Sequence, residues 1–295
     1  MSNSCSMLDE HISRFNKHIG EYMPRENPLY KSVIDAMNYS LTAGGKRIRP
    51  ALVYEFCTAC GGNADDASAA ACAVEMIHTY SLIHDDLPCM DDDDFRRGRQ
   101  SCHKAFGEDI ALLAGDALQA LAFETVAKTP ESVDSRRVLK ASAFLAKRCG
   151  AAGMVGGQII DLACEGRHAP IDTLTTMYLL KTGALIEAAS VMGCIIGGGS
   201  KEQIAAASSF ANKLGLAFQI QDDVLDVEGD EALLGKPIGS DEASDKSTYV
   251  SLIGLSHSKE LVKKYTDEAK ASLEIFGSRA DRLRDLADYL IIRQK

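Results

Sequence analysis

Leu8-Asp9-Glu10-His11-Ile12-Ser13-Arg14-Phe15-Asn16-Lys17-His18-Ile19 decides the fold class. Its apolar side chains Leu8, Ile12, Phe15 and Ile19 recur at i, i+4, i+7 and i+11, one stripe of an amphipathic helix. Outward from it, Pro24 and Pro28 break the chain. Val33, Met37 and Leu41 make a second stripe, closed by Gly44-Gly45, and Pro50 suits the first turn of a third helix. Long alanine-rich helical stretches follow at Asp66 to His84, Asp109 to Ala127, Arg136 to Cys164, Ile171 to Ile196, Glu202 to Val227, Thr248 to Ile275 and Ser278 to Ile292. Alternating strand patterns are nearly absent. Connections are short, such as Gly197-Gly198-Gly199 and Gly229 to Ser240. No Pro-, Ser- or charge-rich linker and no solenoid repeat divides the chain. The expectation is an all-α protein, one domain over residues 1–295 with roughly ten or more helices. Gly156-Gly157 and Gly215, inside helical stretches, are expected to permit close helix packing.

Composition narrows the function classes. The chain has 295 residues, 46% hydrophobic and 25% charged, with a net charge of −10. Those are the proportions of a globular protein, not a disordered one. The acidic balance argues against nucleic-acid binding, which needs a basic face. No apolar run reads as an uninterrupted membrane span of ~20 residues, so stable membrane insertion is not expected. Asp9 and Glu10 stand where a signal peptide would place apolar residues, and no Arg-rich transit segment is evident. The nine cysteines, an odd number without a secretory signal, read as reduced thiols of a cytoplasmic protein. Cys57-Thr58-Ala59-Cys60 forms a CxxC, but no second pair follows at zinc spacing, so it reads as core packing.

Two acidic segments carry the chemistry. The first is Ser81-Leu82-Ile83-His84-Asp85-Asp86-Leu87-Pro88-Cys89-Met90-Asp91-Asp92-Asp93-Asp94, followed by Phe95-Arg96-Arg97-Gly98-Arg99. The second is Phe218-Gln219-Ile220-Gln221-Asp222-Asp223-Val224-Leu225-Asp226. Both sit at the C-terminal end of an apolar helical stretch, where carboxylates face the negative end of the helix dipole. Such clustering is destabilising unless a cation binds. Asp222 and Asp226 share one helical face, about 6 Å apart along the axis. A Pro-containing turn can bring Asp91 back beside Asp85 and Asp86. Hard oxygen donors without His or Cys point to Mg²⁺, several ions around one diphosphate. Asp92 to Asp94 read equally well as a solvated charge run.

A DDxxxxD followed by RRG, with a later FQxxDDxLD, resembles the trans (head-to-tail) isoprenyl diphosphate synthases. Gly45-Lys46-Arg47-Ile48-Arg49-Pro50, Glu75-Met76-Ile77-His78, Leu113-Ala114-Gly115-Asp116-Ala117-Leu118, Gly156-Gly157-Gln158 with Asp161, Lys181-Thr182, Gly235-Lys236 and Lys246-Ser247-Thr248-Tyr249 fall in the family's order. The resemblance covers nearly the whole chain. It implies an isoprenoid-synthase bundle of helices around a deep central cavity, usually a homodimer. It also implies a prenyltransferase joining an allylic diphosphate to isopentenyl diphosphate, with Mg²⁺ on Asp85, Asp86, Asp91, Asp222, Asp223 and Asp226.

By the same resemblance Arg96, Lys181 and Lys236 touch the leaving diphosphate. Lys46, Arg49, His78 and Arg97 hold the non-leaving one; the guanidinium fork suits phosphate. Thr182 and Gln219 present oxygen dipoles to the allylic cation. Pro237-Ile238 departs from the family's usual residues after Lys236, which puts the surroundings of Lys236 in doubt. Tyr80 and Ser81, each one turn (about 5.4 Å) before His84 and Asp85, are the expected floor of the chain-length pocket. An aromatic residue there, with the Pro88-Cys89 insertion, resembles bacterial-type farnesyl diphosphate synthases and implies a C15 product. Geranylgeranyl diphosphate, C20, is the alternative. A terpene cyclase would replace the second Asp cluster, and a non-catalytic subunit would be expected to have lost one cluster; both clusters are intact.

Overall fold

The computed structural model describes residues 3–228 and 246–292. Its first element, α1 (Asn3–Tyr22), buries Leu8, Phe15 and Ile19 from the opening stripe. α2 (Lys31–Leu41) buries Met37 and Leu41, and α3 (Ile48–Ala59) takes Pro50 in its first turn, where a missing N–H costs nothing. α4 (Ser68–Asp85) is buried around almost its whole circumference, as its Ala-rich, largely apolar first half demands. It ends at Asp85. A hairpin of β1 (Phe95–Arg96) and β2 (Arg99–Gln100) is the only sheet among the described residues. Its turn residues Arg97 and Gly98 have φ of 54° and 74°, the doubly left-handed geometry that matches hairpin twist.

α5 (Cys102–Phe106), α6 (Glu108–Ala127), α7 (Ser135–Cys149), α8 (Met154–Cys164), α9 (Ile171–Tyr178), α10 (Ala184–Ile196) and α11 (Lys201–Glu228) follow. α12 (Tyr249–Ile253), α13 (Leu255–Ala271) and α14 (Asp281–Ile292) complete the described chain. The fold is all-α, as expected, with a few finer breaks. The stretch Arg136 to Cys164 divides at the turn Gly150-Ala151-Ala152-Gly153. Thr248 to Ile275 divides at Gly254, φ 83°, which only glycine adopts readily. Between α9 and α10 the chain keeps winding but takes one π-helical turn, Leu179–Gly183.

The main core draws chiefly on α1, α2, α3, α4, α6, α7, α10, α11 and α14. A smaller cluster of Leu174, Met177, Tyr178, Leu216, Ile220, Tyr249 and Val262 knits α9, α11, α12 and α13. One expectation needs correcting: Glu108–Ala127 and Ile171–Ile196 are by length and composition long and apolar enough to cross a membrane. The second is mostly buried inside the molecule, which is where its apolar surface is used. Gly229 to Ser240, with Lys236, lies outside the described residues.

Candidate active site

The second acidic cluster sits near the end of α11. Asp222 lines a cavity of about 430 Å³ together with Lys181, Thr182, Gln219, Asp161 and Lys246. Asp223, also on the wall, points both carboxylate oxygens at protein donors. The Tyr178 hydroxyl donates to them at 2.8 and 2.9 Å, and the Tyr249 backbone N–H donates at 2.8 Å. The Tyr178 and Tyr249 rings stack 5.8 Å apart. Asp223 therefore fixes α11 against α9 and α12. Asp226, one turn beyond Asp222, is buried.

Lys181 and Thr182 stand on the π turn, a distortion that recurs at functional sites because it displaces side chains from regular helical phase. Two glycines let neighbouring helices reach its backbone. A Cβ on Gly157 of α8 would fall 2.2 Å from the Lys181 nitrogen, and one on Gly215 of α11 would fall 3.0 Å from the Gly183 Cα. These are the two helix-interior sites that the sequence marked for close packing. The Lys181 ammonium donates to Asp161 at 2.5 Å. Burial works to lower its pKa, but Asp161, Asp85 and Asp91 outweigh it, and the net shift is upward. Lys181 is thus held as a cation.

That list of neighbours ties the first cluster to the same place. The turn after α4 brings the Asp91 N–H back to the Asp85 carbonyl at 2.8 Å. Burial above all, then the charges of Asp91 and Asp86, raise the Asp85 carboxyl to about 6, although Lys181 and Arg96 oppose this. Asp86 is buried, and its pKa is raised, by desolvation first. Arg96 donates to it through Nε at 2.9 Å and through a second, closer contact, and reaches Asp93 at 2.8 Å. Asp92 and Asp94 are exposed, with His103 nearby; Lys104 pairs with Asp94 at 2.7 Å, as in an ordinary solvated charge run.

A basic group lies beside this cluster. Burial, then the guanidinium groups of Arg49, Arg97, Arg47 and Arg96, holds the His78 imidazole well below its usual pKa. Burial and Arg97 likewise bring Arg49 down to about 10, against the pull of Glu75. The Arg49 Nε is buried without a hydrogen-bond partner among the described residues. Arg97 donates to the Gly44 carbonyl, which places it over the loop carrying Lys46. Such a concentration of positive charge around a buried imidazole is able to attract an anion.

The residues expected from sequence thus fall into two linked groups. Arg49, His78 and Arg97 gather with Arg96, and Arg96 bridges to Asp86. Asp222, Asp223, Lys181, Thr182 and Gln219 share the cavity. Tyr80 and Ser81 are not among the described residues lining that cavity. Tyr80 is buried in the core with its ring edge-on to His84 at 5.6 Å, and the Ser81 hydroxyl donates back to the His78 carbonyl at 2.9 Å. Several residues not singled out individually prove central. Arg47 takes φ 48°, donates to Glu75 at 2.5 Å and to the Leu41 carbonyl at 2.6 Å, and covers the Phe15 ring at 4.8 Å. Asp161, Tyr178 and Lys246 are the others. The motifs holding Glu75, Asp161 and Lys246 were visible in the sequence; their partners were not.

Comparison with known proteins agrees along almost the whole chain. A family model described as Polyprenyl synthetase matches residues 30–280. A chloroplastic geranylgeranyl pyrophosphate synthase of Capsicum annuum is 49% identical over 261 residues, 88% of this chain and 71% of that protein. The heterodimeric geranylgeranyl pyrophosphate synthase large subunit 1 of Arabidopsis thaliana, also chloroplastic, is 47% identical over 285 residues, 95% and 76% of the two lengths. The apo crystal structure of an FPP/GFPP synthase from Zymomonas mobilis superposes with a TM-score of 0.87 at 38% identity, covering 98% of this chain and 99% of that one. With two acidic helix ends linked through Lys181 on an isoprenoid-synthase bundle, and with these matches, the chain belongs to the polyprenyl synthetase family of trans-prenyltransferases.

Proposed function

We propose that the chain condenses isopentenyl diphosphate with allylic diphosphates, head to tail, up to geranylgeranyl diphosphate, releasing pyrophosphate at each step. The observation that carries this reading is the position of Lys181. One ammonium group feels the carboxylates of the first cluster while it lines the cavity that holds Asp222. An allylic diphosphate seated there meets Lys181 directly, with Arg96 at the first cluster. Thr182 and Gln219 line the same cavity and offer oxygen dipoles to the developing allylic cation. Arg49, His78, Arg97 and Lys46 hold the diphosphate of isopentenyl diphosphate. We also assign Lys236 to the leaving diphosphate, on the family resemblance alone.

The donor set fits Mg²⁺: all oxygen, no thiolate or imidazole, and an Asp85 carboxyl whose pKa burial first, then the neighbouring Asp91 and Asp86, raise. Asp85, Asp86, Asp91, Asp222, Asp223 and Asp226 would hold it, with Asp223 also keeping α11 in register through Tyr178 and Tyr249. When bound, Mg²⁺ offsets the negative charge that develops on the leaving diphosphate.

The C20 product is supported by the names of the Capsicum and Arabidopsis relatives. On those names it replaces the C15 product as the first reading. C15 remains the second reading, favoured by the bulk and burial of Tyr80 one turn from His84. The test incubates the full chain with isopentenyl and dimethylallyl diphosphates, with and without Mg²⁺, then chromatographs the dephosphorylated products. A Mg²⁺-dependent C20 alcohol is expected. A C15 end product overturns the chain length, and no product overturns the activity.

We treat the whole chain as one polyprenyl synthase domain and propose that it pairs as a homodimer through Leu112 and Leu113 of α6 and Leu139 of α7, all exposed. The Arabidopsis relative, named as one subunit of a heterodimer, makes an unlike partner the outcome to exclude. Sedimentation of the purified chain gives the answer. A cytoplasmic location stays a proposal resting on the free thiols, since both plant relatives are named chloroplastic; imaging a fusion of the full chain tests it.

A further inference from the structure

The CxxC pair of the sequence separates in the structure. Cys57 is buried and its thiol donates to the Asn63 carbonyl at 3.4 Å. Cys60, half-buried just beyond α3, turns instead toward Cys194 near the end of α10. They meet where the turn after α3 presses on Gly197-Gly198-Gly199. A Cβ on Gly199 would lie 2.8 Å from the Cys60 Sγ and 3.5 Å from the Cys194 Cβ. The one three-ligand metal group found among the described residues contains none of these thiols.

We propose that Cys60 and Cys194 form a reversible dithiol–disulfide pair, Cys60 reacting with peroxide and Cys194 resolving it. Access gives the order, since Cys60 is half-exposed and Cys194 fully buried. The charge of Arg279 nearby acts in the same direction, favouring a thiolate at Cys60. The thiolate is the nucleophile. Cys57, which burial pushes up to about 12, is disfavoured.

The Cys60 thiolate attacks hydrogen peroxide. The O–O bond breaks, a sulfenic acid forms, and the displaced hydroxide takes up a proton to leave as water. The Cys194 sulfur then attacks the Cys60 sulfur. The S–O bond breaks, the S–S bond forms, and the hydroxyl leaves as a second water with the Cys194 proton. Two thiols lose two electrons, and the peroxide gains them. The bond joins the C-terminal ends of α3 and α10, whose other ends adjoin Arg49 and Lys181. Cys194 lies about 15 Å along α10 from Ala184, so the link sits away from the cavity.

The experiment treats the full reduced chain with hydrogen peroxide, blocks remaining thiols and maps disulfide peptides by mass spectrometry. A Cys60–Cys194 peptide is expected, with two thiols lost, reversal by dithiothreitol and a melting temperature raised by about 5 °C. Cys57→Ser retains the link; Cys60→Ser abolishes it and leaves prenyl transfer unchanged. A Cys57–Cys60 peptide, a stable Cys60 sulfinic acid without a crosslink, or an unreacted Cys60 overturns the proposal. Because the mapping uses the unmutated chain, a variant that misfolds does not obscure the result.

Discussion

Glu75 balances the basic group. It and Arg47 are each 3% exposed, and its carboxylate also acts on Arg49 and Arg97. A buried ion pair of this kind is valuable mainly because removing one partner strands the other charge. Glu75→Gln keeps an acceptor but removes the charge that restrains three guanidinium groups. The expected result is a KM for isopentenyl diphosphate raised roughly tenfold with kcat within about twofold. Steady-state kinetics with each substrate varied in turn checks it, and an equal rise for the allylic substrate would contradict it. His78 and Asp85 supply opposing pH terms. The folded pKa of His78 is depressed, so its contribution is present above about 6.5 and lost as pH falls toward the folded value. The folded pKa of Asp85 is raised to about 6, so its contribution is present below about 4 and lost as pH rises through 6. Melting curves from pH 7.5 to 5 should therefore fall less steeply for His78→Gln than for the wild type, and more steeply for Asp85→Asn. Residue types were legible in the sequence here, because few explanations fit Asp pairs after a core helix. The Arg47–Glu75 contact was not, since it joins residues 28 apart through a left-handed arginine.

The π turn Leu179–Gly183 is the element that aims the site. Helices were readable wherever one face is polar, as in α1. They were less readable where all faces are buried, because such a helix has no stripe from which a change of phase could be noticed. All of α10 is of that kind, so the stretch Ile171 to Ile196 read as one regular helix. The break between α7 and α8 escaped for a different reason: Gly150 and Gly153 flank alanines, which favour helix on either side. Gly157 tests the element. Its missing Cβ is what lets α8 touch the Lys181 backbone. Gly157→Ala is expected to cost about 1–3 kcal/mol of stability through overpacking and to lower kcat roughly tenfold by displacing Lys181. Thermal melts and turnover assays read the two effects separately. A variant with full activity would show that the π turn tolerates movement.

Across the whole molecule, the proposed activity rests on two helix ends far apart in sequence. Their order in the chain was legible; that Lys181, paired with Asp161, links them was not, because no local pattern encodes a cavity wall. Asp85→Ala and Asp222→Ala are each expected to lower kcat by about 10³-fold. A double variant no worse than either single one would show the two acting as a unit. Mg²⁺ with pyrophosphate should raise the melting temperature of the wild type and leave the double variant unmoved, as a ligand stabilises only the state that binds it. Excess chelator should abolish the rise.

The five-residue turn on which Lys181 stands also constrains how the gene can drift. A π turn takes one residue more than a turn of regular winding, so losing a single codon within it would leave Ile171 to Tyr178 close to their present phase and keep Tyr178 beside Asp223. What would be lost is the offset that sets Lys181 and Thr182 toward the cavity. In-frame deletions here should therefore leave a folded chain that turns over poorly, and should be rarer than substitutions in any natural or laboratory lineage that keeps the enzyme working.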